Sequence, residues 1–243
     1  MGQFADRLRA FRNARRVGLN GGSVGWCRHG PVIRGWVMFA RSTAITTQPA
    51  AIERGIRFVQ DEVMPQLMGM PGCVGLSLLV DRATGRCITT SSWQNEEAMR
   101  ATTETVQPLR ERFVAEVGGS ALTVDEWEIA LMHRDHHSMG GAMARASWLQ
   151  GDPASIDDSV QSFRAIVPVL DELPGFCSAS LLVNREAGRA VSTVIYDGAD
   201  TLAQTRARAN ELRSQVAGQA GAQVLEVAEF ELAVAHLRVP ELV

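Results

Sequence analysis

Apolar and polar positions repeat along this chain in two patterns, and each pattern occurs twice. Between Cys73 and Val80, the side chains of Val74, Leu76, Leu78 and Val80 fall on one side of an extended segment and those of Cys73, Gly75, Ser77 and Leu79 on the other. That period of two marks a strand. Upstream, Ile52, Ile56, Val59, Val63 and Leu67 recur at helical steps and define one apolar face of a helix over 50–68. Pro49 suits its first turn, Pro65 should kink it or tighten its last turn, and Gly69 to Gly72 end it. The same two patterns return as Cys177, Ala179, Leu181 and Val183 on a strand and Ile156, Val160, Phe163, Val167 and Leu170 on a helix.

The two copies are in register. Pro71 and Pro174, Gly85 and Gly188, Trp93 and Tyr196, Trp127 and Phe230, and His133 and His236 each lie 103 positions apart. A period of this size fixes the architecture before any finer reading. Within each copy a strand near 37–45 precedes the helix. Residues Asp81 to Gly85 form a hairpin turn, and Cys87 to Trp93 return antiparallel. Asn95 then caps a helix with Glu96 and Glu97 in its first turn, and Pro108 should break that helix in two. A last strand over 122–133 alternates Trp127, Ile129, Leu131 and His133 against Glu126, Glu128 and Ala130. The order is β-α-β-β-α-β, written twice. The expected fold class is therefore α+β: two tandem ferredoxin-like units, 38–133 and 142–243, joined by the linker 134–141 and packed sheet to sheet. Each unit covers the bare sheet of its twin, as an intrachain dimeric α/β barrel.

Composition narrows the function. A net charge of −3 argues against broad nucleic-acid binding. No apolar run reaches the roughly 18 residues of a membrane-spanning helix, so no membrane partner is expected. Cys27, Cys73, Cys87 and Cys177 have neither metal-ligand nor redox spacing and read as reduced, buried thiols of a cytoplasmic protein. Residues 1–37 stand outside the repeat. They read as a basic N-terminal extension, either a short amphipathic helix bearing Phe4, Leu8 and Phe11 or a flexible segment.

The run PGCVGLSLLVDRATGRCITTSSWQNEEAMRA, from Pro71 to Ala101, resembles the antibiotic biosynthesis monooxygenase family of dimeric α/β-barrel proteins. The shared pattern is a Pro-Gly start, an alternating strand, a hairpin, and a strand ending in Trp before an acidic helix start. The resemblance covers 38–133 well and 142–236 more loosely; Cys73 stands where the family's start usually has an aromatic in the first unit, and Tyr196 replaces the Trp in the second. It implies a small aromatic or hydrophobic ligand and, where there is chemistry, cofactor-independent oxygenation. The haem-degrading branch is similar in placing an Asn on the first strand and a His in the helix after the Trp. Neither residue is present here.

The candidate residues follow. Trp93 and Tyr196 stand at the family's pocket aromatic and suit stacking on a flat ligand, although strand-end aromatics also serve as plain core. Arg41 and Arg145 hold matching strand positions. Each suits an anionic or enolic oxygen, or else an ion pair with Glu126, Glu128, Glu229 or Glu231. His133 and His236, at matching strand ends, suit proton transfer. Ser77 and Ser180 sit on strand faces thinned to small residues, which leave room for a ligand between the sheets or let the sheets pack closely. His133, Asp135, His136 and His137 fit no standard metal spacing, so no metal or other cofactor is expected. The expected state is a monomeric pseudo-dimer or a homodimer. A non-catalytic ligand-binding or stress-response protein is the rival reading, and a haem-binding tandem barrel with His133 or His236 as axial ligand a weaker one.

Overall fold

The computed structural model describes residues 37–243, so the expectations for 1–36 and for Cys27 lie outside the described residues. Strand β1 (Met38–Thr46) leads through a 3₁₀ turn at Pro49–Ala51 into α1 (Ile52–Phe58), a π-helical turn (Val59–Val63) and α2 (Met64–Met68). Strands β2 (Cys73–Val80) and β3 (Arg86–Trp93), helices α3 (Glu96–Ala101) and α4 (Thr103–Val117), and β4 (Ser120–Arg134) complete the first half. The second half repeats the order with β5 (Met143–Gln150), α5 (Ile156–Leu170), β6 (Phe176–Asn184), β7 (Arg189–Tyr196), α6 (Ala199–Gln204), α7 (Arg206–Gln219) and β8 (Gln223–Leu237).

The eight strands close into one antiparallel barrel in the order β1-β3-β2-β8-β5-β7-β6-β4. The expected sheet-to-sheet packing thus takes a specific form: the sheets are hydrogen-bonded to each other along two seams, β2–β8 and β4–β6. Closure removes every free edge, which an open four-stranded sheet would leave exposed. Both long strands make this possible. Met38 to Thr46 of β1 pair with Ile129 to Ser120 of β4, and Glu128 to Arg134 of β4 pair with β6. In β8, Gln223 to Glu231 pair with β5 and Glu231 to Leu237 with β2.

A bulge in each long strand corrects the expected alternation. Register slips between Ile129 and Leu131, and a slip of one residue turns every following side chain to the other face. Trp127 and Ile129 therefore join the core inside the barrel, whereas Leu131 joins the core under the helices of the second half. The matching slip in β8 puts Phe230 inside the barrel and Val234 under the helices of the first half.

Helix breaks also differ from expectation. Pro108 lies within α4, and the break falls at Thr102, whose hydroxyl donates to the Met99 carbonyl at 2.8 Å. The second half breaks in the same way at Thr205, which donates to Leu202 O at 3.0 Å and has no nearby proline, so the threonine and not the proline marks the break. The helix expected over 50–68 is interrupted upstream of Pro65 by the π turn, whereas α5 runs unbroken through Pro168. Asn95 caps α3 as read, its side chain accepting from the Ala98 amide at 2.8 Å.

Candidate functional site

Each strand has two buried faces, one lining the barrel and one under the helices. On β1, Ala40, Ser42 and Ala44 line the barrel, and Arg41, Thr43 and Ile45 face the helices. Parity therefore decides where each candidate lies. Ser77 and Ser180 line the barrel interior with Thr90 and Thr193, around a cavity of about 270 Å³ that opens to solvent. Trp93, Tyr196, Arg41 and Arg145 do not share that space, contrary to the expectation of one site between the units. All four lie under the helices, because they have the opposite parity to the small residues.

The larger cavity under the helices, about 60 Å³, belongs to the second half. Phe163, Leu181, Leu212 and Val216 supply its apolar wall, and Arg145, Arg213, Tyr196, Ser147 and Ser192 its polar end. Arg145 is 4% exposed. It donates from Nε and Nη2 to Glu229 Oε1 at 3.1 and 2.9 Å and from Nη2 to Leu202 O at 2.7 Å, with its guanidinium 5.5 Å from the centre of the Tyr196 ring. Burial alone would push the Glu229 carboxyl up, yet hydrogen bonds from Arg206 and Arg145 outweigh it and hold the group below the usual carboxylate range. Burial, and then the charge of Arg145, push the Arg213 guanidinium below its ordinary value. Arg213 bonds to the Asn210 amide oxygen and has no carboxylate partner among the described residues. The Tyr196 hydroxyl is buried without a hydrogen-bond partner. A buried phenol in an apolar cavity is rarely left so, because the unmade bond costs about 1–3 kcal/mol.

The first half repeats this arrangement in a smaller space of about 40 Å³. Arg41, 3% exposed, donates to Glu126 Oε1 at 2.7 Å, Thr103 Oγ1 at 2.8 Å and Met99 O at 3.0 Å. Its Nη1 and the Nε of Arg110 are buried without partners. Burial, then the charge of Arg41, lower the Arg110 guanidinium as well. The ion-pair alternative is thus realised, for Arg41 with Glu126 and for Arg145 with Glu229. Trp93 is fully buried, its indole N–H donating to Ser91 Oγ at 3.0 Å, and its ring belongs to the helix-covered core.

The histidines stand apart from both cavities. His133 accepts or donates at Nε2 with Asp171 Oδ1 at 2.7 Å and at Nδ1 with Glu241, and its ring stacks on Phe176 at 6.0 Å. Partial burial would lower its pKa, but hydrogen bonds to Asp171 and Glu241 outweigh this and raise it above the usual histidine value. Both ring nitrogens are therefore occupied. His236 lies opposite Leu76 on the β2–β8 seam. Arg110 and Arg213 were missed by periodicity, since each directly follows an inward leucine. Their signal was a charge repeated 103 positions apart beside the apolar stripe of a helix.

The chain is 52% identical over 229 residues to uncharacterized protein Rv2558 of Mycobacterium tuberculosis, covering 93% of this chain and 95% of the relative. It belongs to the Rv2558 family. No family model matches the chain. Among solved structures, this chain resembles a candidate monooxygenase from Fusobacterium nucleatum, with a TM-score of 0.64 and 10% identity over 83% of this chain and 95% of that one. An anthrone oxidase-like protein gives a TM-score of 0.62 and 12% identity over 84% and 94%. These proteins share the ferredoxin-like monooxygenase fold that the sequence resemblance implied, and at such identity the likeness concerns fold alone. Among the described residues no helix is long and apolar enough to cross a membrane.

Proposed function

We propose that this chain binds a small aromatic or hydrophobic molecule carrying an acidic oxygen, and that the molecule lies in the helix-covered cavity of the second half. The observation that carries this reading is the partnerless Tyr196 hydroxyl beside Arg145 and Arg213 in an otherwise apolar cavity. A carboxylate, phenolate or enolate would accept from Arg213 and Tyr196 while its hydrocarbon body filled the space along Phe163 and Leu212. Arg145 and Arg206 share the Glu229 carboxylate while Arg213 has no carboxylate partner among the described residues, so an organic anion would offset the Arg213 charge. The described chain then reads as a duplicated pair of modules, 38–133 and 142–243, forming a pseudo-dimer in one molecule. Its three described free thiols, Cys73, Cys87 and Cys177, support a cytoplasmic setting.

The cavity lining contains no His, Asp or Glu, which favours binding over proton-transfer chemistry. Cofactor-free oxygenation is the second reading, favoured by the solved monooxygenase-like structures. It requires a substrate that ionises readily beside Arg213. A ring CH₂ would become C=O, one oxygen of O₂ would leave as water, and all four electrons would come from the substrate. Calorimetry with 1-naphthoate and with anthrone tests both readings. Saturable binding is expected, weakened roughly tenfold or more by Arg213→Gln and a few-fold by Tyr196→Phe. Oxygen consumption with anthrone supports the enzyme, binding without consumption supports the binder, and affinity untouched by Arg213→Gln contradicts both.

A further inference from the structure

A separate cluster of possible metal ligands lies where β6 and the end of β7 meet the linker between the halves. His136 Nε2 is 2.9 Å from Asp197 Oδ1, Cys177 Sγ is 3.2 Å from the same oxygen, and these three ligand atoms lie within 4.8 Å of one another. We propose that His136, Cys177 and Asp197 form a binding site for one divalent zinc-class cation.

Three independent features support it. The first is the backbone. Register slips between Phe176 and Ser178, so Cys177 is the extra residue of a bulge, a device that re-aims a side chain out of the ladder. Its carbonyl accepts from the amides of Asp135 at 2.9 Å and His136 at 3.3 Å, which fixes the linker against it. The ligands are thus held on ordered backbone before any ion arrives.

The second is the sister half. There the same bulge carries Val74, the same carbonyl bond comes from Arg238 N at 3.1 Å, and the residues at the positions of His136 and Asp197 are Val239 and Gln94. Fold and hydrogen bonding are met by Val, Val and Gln. Cys, His and Asp are therefore not needed for the structure of this corner, yet this corner has all three.

The third is the chemistry of the donor set. Burial, and then the hydrogen bond and charge of Asp197, push the Cys177 thiol up to about 12. The carboxylate stands between thiol and imidazole, which is the wrong order for an imidazole-activated nucleophile. A divalent cation reverses the penalty by deprotonating the thiol, and thiolate plus carboxylate then neutralise it. Tetrahedral bonds of roughly 2.0–2.3 Å set neighbouring ligand atoms roughly 3.3–3.6 Å apart, so Asp197 parts from its neighbours by about half an ångström or less while His136 Nε2 and Cys177 Sγ, within 4.8 Å of each other, draw together to that spacing. His136 Nδ1 lies 2.8 Å from Asp135 Oδ2, the outer carboxylate that usually orients a metal-bound imidazole. The fourth position faces solvent through the partly exposed His136 and Asp197.

Titration of the chelator-treated full chain with Co²⁺, followed by Zn²⁺, tests the site. One equivalent of Co²⁺ should bind with a near-ultraviolet thiolate charge-transfer band, and Zn²⁺ should displace it. The sister residues serve as variants. Cys177→Val should abolish the band, His136→Val and Asp197→Gln should weaken binding more than tenfold, and Asp135→Asn roughly 10- to 100-fold. Absence of the band in the unaltered chain overturns the proposal, as does a band that survives Cys177→Val. If Cys177→Val does not fold, unchanged affinity in both His136→Val and Asp197→Gln overturns it equally.

Discussion

At the scale of single residues, two charged contacts make opposite demands on pH and burial. Arg41 is almost wholly buried while Glu126 is only partly so, and removing the carboxylate strands a charge that cannot reach water. Glu126→Gln should therefore destabilise the chain by about 3 kcal/mol in denaturant unfolding, and Arg41→Met combined with Glu126→Gln should recover part of that loss. His133 depends on its charged form. Its pKa is raised in the folded state, so its contribution is complete below the unfolded value of about 6.5 and is lost as pH rises through the folded one. His133→Gln should cost on the order of 1 kcal/mol at pH 6 and much less at pH 9, measured as the difference in unfolding free energy from the parent chain. A constant difference across that range would show that the ring acts by packing on Phe176 alone.

At the scale of elements, the hairpin turns are the most exacting positions. Gly85 has φ of +78°, and a Cβ there would come within 1.8 Å of the Thr47 carbonyl oxygen, backbone that cannot move aside because Thr47 N donates to Gly85 O at 2.9 Å. Gly188 repeats this against Gly151 O. Gly85→Ala should cost roughly 3 kcal/mol or more, read as a lowered denaturant midpoint, whereas Ala at the exposed Gly140 should be nearly neutral. The helices, hairpins and strands were legible because their periods are long and repeat. The bulges at Ala130 and Ala233 were not, since alternation on either side of a slip looks continuous when both faces are buried. The same ambiguity hid the site. Arg41, Trp93 and their counterparts could be placed on one strand face, but small residues on the barrel side and apolar residues on the helix side gave no sign of which face held the cavity. The break at Thr102 was also hidden, because Pro108 six residues on offered a stronger local signal than a threonine that bonds back to its own turn.

At the scale of the whole molecule, two halves of one plan have diverged. Reciprocal exchange of the ends of β4 and β8 closes the barrel and leaves a helix-covered cavity in each half. The second half has the larger cavity and the partnerless tyrosine hydroxyl, so under the proposed reading one ligand per chain is expected. Tyr196 is the only tyrosine in the sequence, so a chain labelled with ¹³C at the tyrosine ring gives one resonance that reports this cavity alone. Titrated with 1-naphthoate, that resonance should shift saturably to an end point at one equivalent, and in Arg213→Gln reach the same end point only at roughly tenfold higher ligand or more. A tyrosine signal that does not move while calorimetry records binding would put the ligand elsewhere and contradict the account.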